Sequence, residues 1–176
     1  RVYDVKTGKR VFRKEYRFAE DAIFTVDGDY LVINATNKEG NSVDFWSTND
    51  FAFLRSQFAN KIARRRLAPV PLLLNSLVAV GNWEISIVDV ATDFTTHVVP
   101  HQSESVFEQF TFDNTGTILV TDSDDDTVRF FDWQNDKLLH EFELSGTVTS
   151  LVFEPKNSLL VIGTEEGDLQ FWGVKQ

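Results

Sequence analysis

The feature that most constrains this chain is a repeat. Short apolar runs that end in a small or acidic residue recur as RVYD (ending at Asp4), VDFWS (Ser47), ISIVD (Asp89), VRFFD (Asp132) and LQFWG (Gly173), at intervals of 43, 42, 43 and 41 residues. A unit of roughly 40 to 45 residues has room for four strands and their turns. Repeated units of that kind bury their faces only by stacking on one another.

The segments inside each unit read as all-β. TILVT, SLLVIG and YLVI are nearly continuous apolar runs of strand length bounded by Asn, Asp and Gly, the pattern of strands covered on both faces. KRVFRKEYR, FAFLRSQFA, FTTHVVPHQ and KLLHEFELS instead mix charge with apolar residues, as strands with one wetter side do. Turn residues stand at the same phase each time: Lys6-Thr7-Gly8, Thr48-Asn49-Asp50, Ala91-Thr92-Asp93 and Gln134-Asn135-Asp136.

This pattern resembles the WD-repeat β-propeller family, named for a Trp-Asp pair that closes the third strand of each blade. The pair is degenerate here: Tyr3-Asp4, Trp46-Ser47, Val88-Asp89, Phe131-Asp132 and Trp172-Gly173. VTSLVFEPKNSLLVIGTEEGDLQFWG (Val148 to Gly173) and FEQFTFDNTGTILVTDSDDDTVRFFD (Phe107 to Asp132) follow the family's three-strand pattern, and AIFTVDGDYLVI begins a third copy. LAPVPLLLNSLVAVGNWEISIVD is a shorter, more divergent fourth. The resemblance implies about 17 strands: a partial blade over 1–16, blades over about 17–58, 66–100 and 106–144, and a last blade over 147–173 without its outer strand. Rings of this family commonly have seven blades, so the expectation is about four blades forming the C-terminal part of a seven-bladed ring.

The stretch TDSDDDTVRFFDWQNDK, Thr121 to Lys137, poses the sharpest question about a site. Asp122, Asp124 and Asp126 alternate as calcium-loop ligands do, but Thr127 stands where such a loop needs glycine and Trp133 where it needs the bidentate glutamate. No metal is expected. The family resemblance implies a structural role instead: Asp125 would accept hydrogen bonds from turn amides and from His101, with Ser123 as the next member. Thr164, Glu166 and Trp172 match the same network in the last blade, where no histidine precedes them. Asn82 and Gly40 occupy the aspartate position in the other two.

Composition narrows the function. With 27 acidic and 17 basic residues the net charge is −10, which opposes broad attraction to nucleic acid or anionic membrane. No apolar run approaches the roughly 18 residues of a spanning helix. The absence of cysteine removes disulfide, thiolate-metal and cysteine chemistry and fits an intracellular protein, cytoplasmic or nuclear. Asn34-Ala35-Thr36 is a sequon that falls where a strand should end, and it reads as structural.

Of the three histidines, His97 and His140 fall on outer strands, and His101 has the structural role just described. No nucleophile elbow, phosphate loop or paired-histidine motif occurs. A propeller lactonase or quinone-dependent dehydrogenase would need polar groups on innermost strands that read AIFT, FTF and SLVF. The expectation is therefore a non-catalytic protein–protein interaction scaffold, a subunit of a multiprotein complex, with no cofactor and no small-molecule substrate. The basic cluster Lys61, Arg64, Arg65 and Arg66 is the expected partner contact, for an acidic or phosphorylated segment. The alternative is an RNA contact by the same loop in a ribonucleoprotein particle.

Overall fold

The computed structural model describes residues 1–176 except 39, 59–65, 75, 81–83, 91, 93, 101–106, 155, 157, 158 and 174–176. Among the described residues the chain forms 17 strands and one short 3-10 turn, Trp133–Asn135. β1 (Val2–Tyr3) and β2 (Arg10–Phe12) make a two-stranded sheet. Three four-stranded meanders follow: β3 (Phe18–Phe24), β4 (Tyr30–Asn37), β5 (Gly40–Ser47) and β6 (Phe53–Phe58); β7 (Arg66–Pro69), β8 (Ser76–Val80), β9 (Glu84–Asp89) and β10 (Phe94–Pro100); β11 (Phe107–Phe112), β12 (Ile118–Ser123), β13 (Thr127–Asp132) and β14 (Lys137–Glu143). The last sheet has three strands, β15 (Val148–Phe153), β16 (Leu159–Thr164) and β17 (Leu169–Gly173). Neighbouring strands are antiparallel throughout. β3 lies beside β7 and β11 beside β15, so the first strand of each sheet faces the centre and the fourth lies at the rim. These sheets are blades of a β-propeller.

Stacking explains the apolar runs. In β4, Leu31, Ile33 and Ala35 pack with Val2 and Phe12 of the first sheet, whereas Val32 packs with Leu67, Leu77 and Ala79 of the next blade. β8 repeats the division, with Leu77 and Ala79 toward the preceding blade and Val78 and Val80 toward the following one. In β12, Leu119 faces backward and Val120 faces Val148, Leu160 and Ile162 of the last blade. A strand buried on both sides has no polar alternation to display. Each such side chain contributes roughly 1.5–3 kcal/mol of burial.

The acidic residue that ends each repeat has a local reason. Asp4 Oδ1 accepts from the amides of Lys6 (2.9 Å) and Thr7 (2.7 Å); Asp89 Oδ1 accepts from the Thr92 amide (2.8 Å); Asp132 Oδ1 accepts from the Asn135 amide (3.3 Å). Ser47 substitutes with its hydroxyl, which accepts from the Asn49 amide at 3.3 Å. The recurring carboxylate thus closes the turn between the third and fourth strands of the blade by a side-chain-to-backbone bond.

One glycine is required by a neighbouring blade. Gly116, at φ 68°, lies so that an added Cβ would stand 2.3 Å from the Pro71 carbonyl oxygen, while its own carbonyl accepts from Trp133 Nε1 at 2.7 Å. Gly116→Ala combines left-handed strain with a backbone clash and is expected to cost about 2 kcal/mol in equilibrium unfolding. A variant as stable as the wild type would show that this turn can move away from Pro71.

Candidate interaction surface

The inner strands are tied to one another by polar side chains at one register position. Asp21, Arg66 and Gln109 pair respectively with Asn34, Val80 and Asp122 of their own second strands. Asp21 Oδ2 accepts from the Leu67 amide of the next blade at 2.8 Å. Arg66 donates in the same direction, to the Glu108 carbonyl at 3.0 Å and to Gln109 Oε1 at 2.5 Å. A cleft of about 760 Å³ opens between these strands, lined by Glu20, Asp21 and Arg66 at its polar end and by Ala68, Pro69 and Phe110 among others.

Arg66, expected in a basic loop, is therefore the first residue of β7, with its guanidinium turned to the neighbouring blade. The other members of that cluster, Lys61, Arg64 and Arg65, lie outside the described residues, as does His101. Asn34 of the sequon is buried in β4, and its amide donates to Glu20 Oε2 at 3.3 Å.

The aspartate run divides sharply. Asp122 belongs to β12 rather than to the turn, and it is 1% exposed with neither carboxylate oxygen in a well-formed hydrogen bond. Burial first, and the Glu108, Asp126 and Asp125 charges after it, push its carboxyl up to about 7, against partial relief from the Ser123 amide. Asp124 and Asp126 are exposed, and Asp126 takes the left-handed conformation (φ 57°) that turns the chain into β13. Asp125 accepts from the Thr127 amide at 3.2 Å and from both terminal nitrogens of Arg129, at 3.1 and 2.7 Å. Arg129 is 7% exposed, also meets Glu141 at 3.3 Å, and is held above its usual pKa chiefly by the Asp125 bond. The turn amide was legible in the sequence, and the arginine was not. Among the described residues no group of three His, Cys, Asp or Glu is placed to hold a metal ion.

Ser123 is buried at the end of β12, and its carbonyl accepts from the Asp126 amide at 3.0 Å. The last blade does not join Thr164, Glu166 and Trp172 by hydrogen bonds. Thr164 Oγ1 is buried without a partner among the described residues, Glu166 lies over Gly146, and Trp172 Nε1 donates to Gln170 Oε1 at 3.3 Å. The Trp172 ring stacks instead on Phe142 at 3.8 Å. A closed network does exist in the blade β3–β6, around Tyr16 in the segment before β3. Trp46 Nε1 donates to Tyr16 Oη at 3.1 Å, and Tyr16 bonds Asp44, which also accepts from the Ser56 hydroxyl at 2.6 Å. Desolvation first and Asp44 second hold the Tyr16 phenol well above its ordinary pKa. Tyr16→Phe removes the link and is expected to cost about 1 kcal/mol of stability. Unchanged urea unfolding would show that the phenol is replaceable by solvent.

A second surface went unread in the sequence because its charges are spread rather than run together. Arg1, Lys6, Lys9, Arg10, Arg13, Lys14 and Arg17 put seven of the 17 cations into the first 17 residues, against only Asp4 and Glu15. All seven are exposed. Arg13 pairs with Glu15, and Lys14 Nζ sits 5.4 Å above the Trp46 ring. From residue 67 onward there are four cations and 18 acidic residues, so the molecule is electrically lopsided.

These blades place the chain in the class of propeller folds built from four-stranded antiparallel sheets. Among solved structures it is similar to the WD40 β-propeller domain of Doa1, with 15% sequence identity and a TM-score of 0.70 over 90% of this chain. The chain spans 51% of that structure. No protein-family model matches the sequence, and no curated protein matches it. The shared feature is the fold.

Proposed function

We propose that the protein is a non-catalytic interaction scaffold, a subunit of a multiprotein complex that engages other proteins through its propeller surfaces. The observation that carries this reading is the state of the central cleft. Of its ionisable groups, Asp21 and Arg66 are bonded to the next blade's backbone or side chain, Glu20 accepts from the Asn34 amide of its own blade at 3.3 Å, and Ala68, Pro69, Phe110 and Phe112 contribute apolar lining. Catalysis by acid, base or nucleophile needs such groups directed at a substrate. Shape and surface charge are what remain for recognition, in the cytoplasm or nucleus.

We further place these blades in a seven-bladed ring. Support comes from apolar side chains exposed on the outward faces of the two terminal sheets, Val152, Leu169 and Phe171 at one end and Tyr3 and Val11 at the other. Soluble propellers cover such faces with further blades.

Purification of the tagged full-length protein with chemical crosslinking tests the scaffold reading. A protein partner should be recovered in near-stoichiometric amount, resistant to ribonuclease and to moderate salt. Recovery abolished by ribonuclease and falling steeply with salt would favour the ribonucleoprotein reading through Lys61, Arg64, Arg65 and Arg66. Substrate turnover at the cleft would end the non-catalytic reading.

A further inference from the structure

The outer rim of a propeller is a set of sheet edges, and one of them differs from the others in charge. Among the described residues β2 pairs with β1 alone, so its far side presents unpaired main-chain groups, as do those of the rim strands β6, β10 and β14. β2 itself carries Arg10, and the residues flanking it add Lys9, Arg13 and Lys14 against one acid, Glu15, which pairs with Arg13. β14 carries Lys137, Glu141 and Glu143; β6 carries Arg55 alone, and β10 has neither Lys, Arg, Asp nor Glu. Lys9 and Arg10 have no carboxylate within salt-bridge distance among the described residues, and Asp4, the nearby acid, is committed to its own turn amides.

We propose that the β2 edge is a docking site for an extended acidic polypeptide segment that adds a strand to this sheet. This rests on the scaffold reading and narrows it to one edge and one partner chemistry. Two observations favour a polypeptide over a nucleic acid. A free strand edge offers donors and acceptors at the spacing of another strand's backbone, which main-chain pairing uses and a phosphodiester chain does not. The 18 acidic residues beyond residue 66, against four cations, repel a long polyanion, whereas a short acidic strand meets only the local positive field. Lysine on an edge is also a common guard against aggregation, but a guard repels other cationic edges and leaves an acidic strand attracted. Glutamates on the added strand would lie near Lys9, Arg10, Arg13 and Lys14, and opposite charges on neighbouring strands stabilise pairing.

Fluorescence polarisation with the full-length protein and a labelled decamer of alternating Glu and Thr tests this. Binding should weaken at least ten-fold for Lys9→Gln/Arg10→Gln/Arg13→Gln, and at least ten-fold for the same peptide with N-methylated backbone amides. The thermal melt of the triple variant should match the wild type; if it does not, Lys9→Gln/Arg10→Gln serves, with a loss of about five-fold expected. Undiminished binding by a folded variant overturns the proposal. Equal affinity for the N-methylated peptide overturns strand addition, and tighter binding of a uridine decamer makes the surface a nucleic-acid contact instead. If the Glu-Thr peptide fails to bind while the tagged protein still recovers its stoichiometric partner, the edge proposal falls and the scaffold reading stands.

Discussion

Replacing Asp125 by alanine is expected to lower the unfolding free energy by about 3 kcal/mol, because it strands a buried cation. Arg129 is 7% exposed and directs two bonds at Asp125, with Glu141 at 3.3 Å as its other acidic neighbour among the described residues. Removing one member of a buried pair typically costs about 3–5 kcal/mol, whereas replacing both by apolar groups is often nearly neutral. Asp125 is itself partly exposed, its side chain 27% accessible, which places the expected loss at the lower end. Asp125→Ala/Arg129→Met should accordingly regain most of the stability lost by Asp125→Ala. Denaturant unfolding of the full-length variants measures both. If the double variant is no better than the single one, the turn amides and not the arginine are what Asp125 serves.

The second large effect has the opposite sign. Asp122→Asn should stabilise the protein at pH 8 by about 3 kcal/mol and leave it nearly unchanged at pH 4. The carboxyl is raised from 3.8 to about 7 in the folded state, burial being the main cause and Glu108 the next. Between those values the native state holds a proton that the unfolded chain has released, so stability falls as pH rises through the window and levels off above about 7. A shift of one unit corresponds to about 1.4 kcal/mol, which sets a ceiling of about 4.5 kcal/mol on the effect; the asparagine amide is itself buried without partners and offsets part of it, leaving about 3 kcal/mol. A stability difference between Asp122→Asn and wild type that does not change from pH 4 to pH 8 would show that Asp122 is ionised throughout or shielded by solvent.

The period of the repeat, together with the apolar runs and turn residues inside it, made the all-β blades and the turns between their third and fourth strands legible. These depend on contacts within a few residues, such as Asp4 with Lys6 and Thr7, or on a strand pattern that survives substitution of any one side chain. The degenerate Trp-Asp pairs did not obscure the blades, because Trp46, Val88 and Phe131 all still bury an apolar side chain between sheets. What only the tertiary structure decided is which polar residues meet. In a run of four aspartates within five residues, composition cannot say that Asp122 lies inside β12 while Asp124 and Asp126 face water, since that depends on where the hairpin turns. Arg66 reads as part of a basic run with Arg64 and Arg65. Its hydrogen-bond partners, Glu108 and Gln109, lie more than 40 residues away and come within reach only because inner strands of successive blades stand side by side. Tyr16 escaped the sequence for the same reason: its phenol meets Trp46 and Asp44 some 30 residues away, and no local pattern announces it.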